Sequence, residues 1–481
     1  MRAAGVGNWI WRSVAIGATL TALVLGLRIL QSERQPDLGP WHTWAPREPD
    51  AEAIGQLDWR GWLAVEDGLN REIDAEMRTE LNARQRVPAN RFYEGSPLYP
   101  GHFRQNWNRS YELLPPSAAR GAVVLLHGLS DSPYSLRHVA ELYRDHGFAA
   151  VGIRLPGHGT VPAGLTTVRW QDWRAATRLA MREARRLAGP GRPIHLVGYS
   201  NGGALAMQYT LDALGDSQLD LPTRVVLFSP MIGLTRFARY AGVAGWPALL
   251  PRFAKSAWLD IVPEFNPFKY NSFPVNAARQ SYELTQEIDR QLGAAAANAS
   301  LTKLPPILVF QSVVDSTVAG EAVFTTLLSR VPANGSEIVL FDVNRATPLE
   351  LLMSRDALLR LDQMLPRGAQ AYRITVLGNS PGQDRLTETV REAGTETVHA
   401  QPLPLEYPRG FFSLSHVALP FPPTDSLYGI EPESLEFGVH LGNQQPRGER
   451  GTLLNGADTL VRASCNPFFP YIVTRLEEGI H

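Results

Sequence analysis

The chain of 481 residues has a single cysteine, Cys465. A disulfide between two of its own residues is excluded, and so is a cysteine-rich zinc site. It also lacks a dominant charge. Lys and Arg number 46 against 47 Asp and Glu, a net charge of −1. No basic field points to nucleic acid, and no acidic tail points to disorder. No internal repeat or low-complexity tract stands out, which argues against a solenoid or fibrous design. What remains is an ordinary globular composition, 44% hydrophobic and 19% charged, long enough for one large domain or two to three smaller ones.

The one uncharged stretch of note lies near the start. Ser13–Leu27 carries no charged residue and is bracketed by Arg12 and Arg28, with Trp9 and Trp11 in front. A membrane helix needs about 20 residues, and snorkelling arginines with the tryptophan pair extend the span to Ile10–Leu30. No small-residue cleavage site follows Leu27, so residues 1–30 are expected to form an uncleaved membrane anchor, with a cleaved signal peptide as the rival. Arginines flank the span almost evenly, so topology is weakly marked; the expectation is the large domain on the extracytoplasmic side. Residues 31–58, with four prolines and many charges, read as a linker. Trp59–Arg84 places Trp62, Leu63, Val65, Leu69, Ile73 and Met77 near helical spacing, an amphipathic helix packed on the main domain.

From Gly121 onward short apolar runs alternate with helical stretches. Expected strands are Ala122–Leu126, Ala149–Leu155, Ile194–Tyr199, Arg224–Phe228, Ile307–Phe310 and Glu337–Phe341. Expected helices are Ser135–His146, Thr167–Leu187, Asn201–Leu214 and Glu321–Arg330. This alternation predicts an α/β fold with a mainly parallel sheet flanked by helices. Active sites in such sheets sit at the carboxyl ends of the strands. After Ile194–Tyr199 comes Gly198-Tyr199-Ser200-Asn201-Gly202, a strand, a tight turn and a helix with a serine at the tip. That is the setting a G-x-S-x-G nucleophile elbow requires. A second match, Gly378-Asn379-Ser380-Pro381-Gly382, follows the strand-like Arg373–Leu377. Pro381 has no backbone N–H to offer an oxyanion, so Ser380 is rejected as nucleophile.

Taken in order, HGLSDS at 127–132, RLPGHG at 154–159, GYSNGG at 198–203, the aspartate of SVVDST at 312–317 and SLSH at 413–416 resemble the α/β-hydrolase superfamily. The likeness is greatest to the branch holding monoacylglycerol lipases, carboxylesterases and serine aminopeptidase-like hydrolases, and it covers about Ala122 to His416. The resemblance implies the order Ser, then Asp or Glu, then His. Ser200 is the expected nucleophile. Asp315 is the expected acid, with Asp342 as runner-up. His416 is the expected base, ahead of His399, His440 and His481. The oxyanion hole is expected from the backbone N–H groups of Leu129 and Asn201. His127 and His158 precede Ser200 and are expected to shape loops. No metal and no organic cofactor is needed for such chemistry.

The resemblance also implies a helical lid, about 231–304, where Phe237, Tyr240, Trp246, Phe253, Trp258, Phe265, Phe268, Tyr270 and Phe273 would either form an apolar acyl pocket or simply pack a helical subdomain. A second insertion, about 345–410, separates Asp315 from His416 and is expected to add a strand or wall one rim of the site. The hydrolase domain as a whole is placed at 59–481. The expected activity is cleavage of carboxylic esters, lipid-like or acyl, through an acyl-enzyme. Alternatives are a peptidase, thioesterase or acyltransferase using the same triad, or a membrane-tethered binding protein without catalysis. The expected partners are the ester substrate and the membrane; oligomeric state is not readable.

Overall fold

A computed structural model describes residues 25–233, 246–318, 320–347, 353–408, 410–442 and 464–480, together with 15, 16, 19 and 23. In chain order its strands are β1 Tyr111–Leu113, β2 Gly121–Leu126, β3 Phe148–Ile153, β4 Ile194–Tyr199, β5 Arg224–Phe228, β6 Trp258–Asp260, β7 Phe273–Pro274, β8 Ile307–Ser312, β9 Glu337–Phe341, β10 Arg373–Gly378, β11 Arg385–Arg391 and β12 Val398–Glu406. Ten of them form one sheet in the order β1-β3-β2-β4-β5-β8-β9-β10-β11-β12; β6 and β7 make a separate small ribbon. From β3 to β10 every pairing is parallel. The outermost strands β1, β11 and β12 pair antiparallel.

Every residue of β2, β3, β4, β8 and β9 is buried. Helices cover both faces of such a sheet, so unbroken apolar runs are what its strands require. Helices Trp170–Ala188 and Asn201–Gly215 pack on one face with a large aliphatic core. On the other face lie helix Arg137–Asp145, the carboxyl-terminal helix Phe469–Glu477 and an aromatic-rich core containing Tyr134, Phe268, Phe421, Phe437 and Phe468.

Two expectations meet a different structure, and a third is extended. Residues 31–58 are not a bare linker: helices Pro40–Thr43 and Ala51–Gln56 form there, and Ile54 is fully buried. The helix expected over Glu321–Arg330 is broken into an α turn, a π turn over Val323–Leu327 and a 3₁₀ turn over Leu328–Arg330. The 345–410 insertion supplies three strands, β10 to β12, that extend the sheet. Its last strand is exposed and carries Pro402 and Pro404, which cannot donate to a further strand and so blunt the edge.

The amphipathic helix runs Trp59–Glu80, with the Asp58 side chain accepting from the Gly61 N–H at 2.7 Å as its cap. Trp62, Leu69, Ile73 and Met77 are buried. So is Glu66, which accepts from Arg154 Nε at 3.1 Å and from the Ser110 hydroxyl at 2.6 Å. Arg154 also reaches Glu48 at 2.9 Å. The segment before the sheet is thus tied to the carboxyl end of β3.

Of the expected anchor, residues 1–14 lie outside the described residues, and residues 25–33 are helical. Among the described residues no helix is long and apolar enough to cross a membrane. Of the expected lid, residues 234–245, including Phe237 and Tyr240, lie outside the described residues. The remainder holds short 3₁₀ turns, the β6–β7 ribbon and the long helix Val275–Ala297. Trp258, Phe268 and Tyr270 are buried, whereas Phe265 is exposed.

Candidate active site

Ser200 occupies the turn between β4 and helix Asn201–Gly215 with φ 54° and ψ −116°. A non-glycine residue rarely holds this conformation, and it persists only where the surroundings over-determine it. They do so here. The Ser200 N–H donates to the Phe228 carbonyl at 2.9 Å, and the Ser200 carbonyl accepts from Met231 N–H at 3.0 Å and Gly203 N–H at 2.9 Å. The flanking glycines are steric necessities. A Cβ on Gly202 would lie 1.9 Å from the Leu126 carbonyl oxygen, and one on Gly198 would lie 2.3 Å from the Gly202 carbonyl oxygen. The helix can approach β2 this closely only without side chains at those points.

The loop after β2 passes directly over the serine: a Cβ on Gly128 would sit 3.4 Å from Ser200 Cβ. Among the described residues neither the Leu129 nor the Asn201 N–H has a hydrogen-bond acceptor. Two amides without partners beside a serine hydroxyl are what an oxyanion hole needs. The loop is braced from below. Leu155 N–H donates to His127 Nε2 at 3.0 Å, and His127 Nδ1 lies 2.9 Å from the Gly128 carbonyl. With one nitrogen accepting, the other carries the proton, so His127 is neutral. Burial pushes its pKa well below the usual value, with the neighbouring His158 adding to the effect. His158 is likewise driven down by burial, to about 3, and bonds the Pro156 carbonyl at 3.0 Å. Both histidines hold loops, as expected.

Asp315 lies three residues beyond the end of β8, and His416 begins a short 3₁₀ turn far along the chain. His416 Nδ1 and Asp315 Oδ2 stand 2.7 Å apart. The His416 ring also lies against Tyr199, the residue before the serine, with centroids 5.4 Å apart. All three side chains, Ser200, Asp315 and His416, are at least nine-tenths buried. Asp315 accepts three further hydrogen bonds: Thr317 N–H at 2.8 Å, Val318 N–H at 3.0 Å and Gln311 Nε2 at 3.1 Å. Burial raises the carboxyl pKa, but the charge and hydrogen bond of His416 and the two backbone donors outweigh it, and the carboxyl sits below its usual value.

The long excursion between acid and base is closed by polar contacts. Ser312 Oγ donates to the Leu414 carbonyl at 2.8 Å, and Asn344 Nδ2 donates to the Phe411 carbonyl at 2.7 Å. Thus the ends of β8 and β9 clasp the histidine loop while the chain between builds β10 to β12.

The rejected and runner-up residues fall elsewhere. Ser380 is exposed in the turn joining antiparallel β10 and β11, with no helix behind it. Asp342 is paired with Arg345 at 2.9 Å. His399 is exposed on β12, and His440 bonds the Gly429 carbonyl. His481 lies outside the described residues.

Three contributors fall outside the roles that the motifs imply. Gln311, at the end of β8, was one more polar residue in a strand. Ser281, from helix Val275–Ala297, donates to the Asn201 side-chain oxygen at 3.0 Å and so tethers the residue after the serine. Asp131, two residues beyond Leu129, is buried; burial raises its pKa to about 6 against the pull of Lys269, Ser132, Ser135 and His416.

Residues 117–342 match the family model described as serine aminopeptidase, S33. The matched span contains Ser200 and Asp315 and stops before His416. A thermostable monoacylglycerol lipase of Bacillus sp. (strain H-257) is 26% identical over 171 residues, 35% of this chain and 64% of that relative. The chain therefore matches a little under two thirds of that lipase's length. Among solved structures, a monoacylglycerol lipase of Paleococcus ferrophilus is 19% identical over 48% of this chain and 87% of its own, with a TM-score of 0.36. A monoglyceride lipase of Saccharomyces cerevisiae is 15% identical over 48% of this chain and 81% of its own, with a TM-score of 0.37. Residues 117–342 are thus similar to the serine aminopeptidase S33 family of α/β-hydrolases, and the chain shows distant homology to monoacylglycerol lipases.

Proposed function

We propose that this protein is a serine hydrolase of carboxylic esters, with Ser200, His416 and Asp315 as its catalytic triad. The observation that carries the reading is the 2.7 Å contact between His416 Nδ1 and Asp315, two residues distant in sequence, packed against the residue preceding a strained serine. Serine at its free pKa is a poor nucleophile and needs such a base. In this reading Asp315 orients the imidazole through Nδ1 and leaves Nε2 to act on the serine. His416 takes the Ser200 proton as Oγ attacks the ester carbonyl, then returns it to the departing alcohol. The Leu129 and Asn201 N–H groups receive the negative charge that develops on the carbonyl oxygen. Water, activated by the same histidine, then releases the acyl group. The monoacylglycerol lipase relatives and the aromatic residues of the 231–304 insertion favour a lipid-like acyl ester over a small polar one. Ser13–Leu27 would anchor the protein to a membrane, with the catalytic domain on the extracytoplasmic face.

An alkyl fluorophosphonate probe tests the enzyme reading. Wild-type protein is expected to be labelled and Ser200→Ala is not. A folded wild type that resists labelling would refute the triad. Alkaline carbonate extraction of membranes tests the anchor: the full chain is expected in the pellet, and release to the supernatant refutes it.

A further inference from the structure

Large apolar side chains that face solvent are not scattered evenly over this molecule. Twelve are exposed among the described residues, and seven of them lie in two segments: Ile16, Leu23, Leu27 and Leu30 near the start, and Leu250, Val262 and Phe265 in the 231–304 insertion. Single exposed leucines are unremarkable, but a concentration of this kind marks a contact surface.

The two segments lie side by side. Arg28 is buried and its guanidinium donates to the Trp258 carbonyl. Ser32 Oγ lies 3.0 Å from Ser256 Oγ, and Gln35 Nε2 donates to the Leu259 carbonyl at 2.9 Å. Lys255 closes the row, 3.0 Å from Asp37. Helix geometry then divides the faces. At about 100° per residue, Leu27 and Leu30 fall on one stripe of the 25–33 helix, and Arg28 and Ser32 fall well round the helix from it. One side of this helix is therefore bound to the insertion, and the other presents leucines to the outside.

We propose that the leucine stripe of the 25–33 helix and the exposed Leu250, Val262 and Phe265 form one apolar surface that lies on a lipid bilayer, holding the insertion against the membrane. The proposal rests on the ester-hydrolase and anchor readings above, and it adds that the insertion itself meets lipid. The occupant is a bilayer because the stripe runs directly into the uncharged Ser13–Leu27, flanked by Trp9, Trp11 and arginines, residue types that suit the membrane interface. Charge argues the same way. Residues 23–37 and 250–265 hold Arg28, Arg34, Arg252 and Lys255 against Glu33, Asp37, Asp260 and Glu264, a net charge of zero. The surface is apolar and neutral, so it should bind phosphatidylcholine without any need for anionic lipid.

The test uses the full chain in phosphatidylcholine vesicles. Cys465 is buried, so a single thiol-reactive bimane can be placed on Phe265→Cys, and separately on Leu435→Cys as a control in the carboxyl-terminal segment. Brominated phosphatidylcholine should quench the probe at 265 at least threefold more than the probe at 435, with little change between low and high salt. Equal quenching at both sites, or none at 265, overturns the proposal. So does a protein-concentration-dependent blue shift at 265 without lipid, which would make the surface an interface between copies. Leu250→Glu/Val262→Glu provides the functional arm. Its turnover of a soluble short-chain ester should match wild type, while turnover of a long-chain ester embedded in vesicles should fall about tenfold. An equal rate on vesicle-borne ester overturns the docking surface. Absence of turnover on the soluble ester in wild type itself would instead refute the hydrolase reading.

Discussion

The two halves of the candidate site are built by different physics. The serine half is local. Gly198, Ser200 and Gly202 lie within five residues, and their geometry follows from a strand and a helix that must approach more closely than a Cβ permits. The acid–base half is non-local. Asp315 and His416 are joined only because Ser312 and Asn344 grip the histidine loop and because Asp315 collects four donors. The first half is therefore intolerant of added volume, and the second is intolerant of lost hydrogen bonds.

Asp315→Asn breaks the second half most severely. It swaps an acceptor for a group that favours the wrong histidine tautomer, and kcat should fall by about 10⁴ with the fold intact. Steady-state rates alongside circular dichroism check it; a loss under tenfold would remove Asp315 from the triad. Gly202→Ala breaks the first half. The added Cβ meets the Leu126 carbonyl at 1.9 Å, which the backbone cannot yield without moving the helix. Stability should drop by about 3 kcal/mol in denaturant unfolding, with activity lost in parallel. Gln311→Leu sharpens the contrast because it removes one of four donors to Asp315 and leaves the serine half alone. The missing hydrogen bond, worth about 1–2 kcal/mol at a charged acceptor, predicts roughly a tenfold fall in kcat at unchanged KM. A rise in KM alone would contradict a role through Asp315.

Asp131→Asn has the smallest expected effect. The variant removes a buried carboxylate near His416 and leaves the four donors to Asp315 in place, so kcat/KM should change by less than about threefold. Stability carries a second sign. The folded carboxyl, at about 6, holds its proton above the ordinary value of about 3.9. Wild type should therefore lose stability as pH rises from about 4 to 6, and the variant should not. A wild-type melting temperature that is flat across this window would contradict a buried, proton-retaining Asp131.

Legibility in the sequence followed the same divide. Strands β4, β5 and β9 appear where apolar runs predicted them, because a sheet covered on both faces demands such runs. The serine elbow was legible for the same reason, and Ser380 could be set aside on the chemistry of Pro381. The pairing of Asp315 with His416 was reachable only through the resemblance, since no periodicity spans so long an excursion. Strands β11 and β12 carry no sequence signal because their mixed polar and charged residues match an antiparallel sheet edge, which shows no core-like run. Residues 31–58 looked like linker because prolines and charges are frequent there. Glu48 and Glu66 are charged in sequence yet serve buried Arg154, and composition cannot distinguish a solvated carboxylate from a buried partner.

That buried arginine separates the evolutionary unit from the folding unit. The segment recognisable as a hydrolase family member begins at residue 117 and ends at 342, yet Arg154 lies inside it with both of its carboxylate partners outside. Excising the family segment would remove both partners of Arg154 and uncover the apolar core that Ile54, Trp59 and Trp62 complete, before the loss of His416 is considered. An expression fragment trimmed to the recognisable boundaries should aggregate, and one that starts ahead of Trp41 and retains the carboxyl-terminal helix should not.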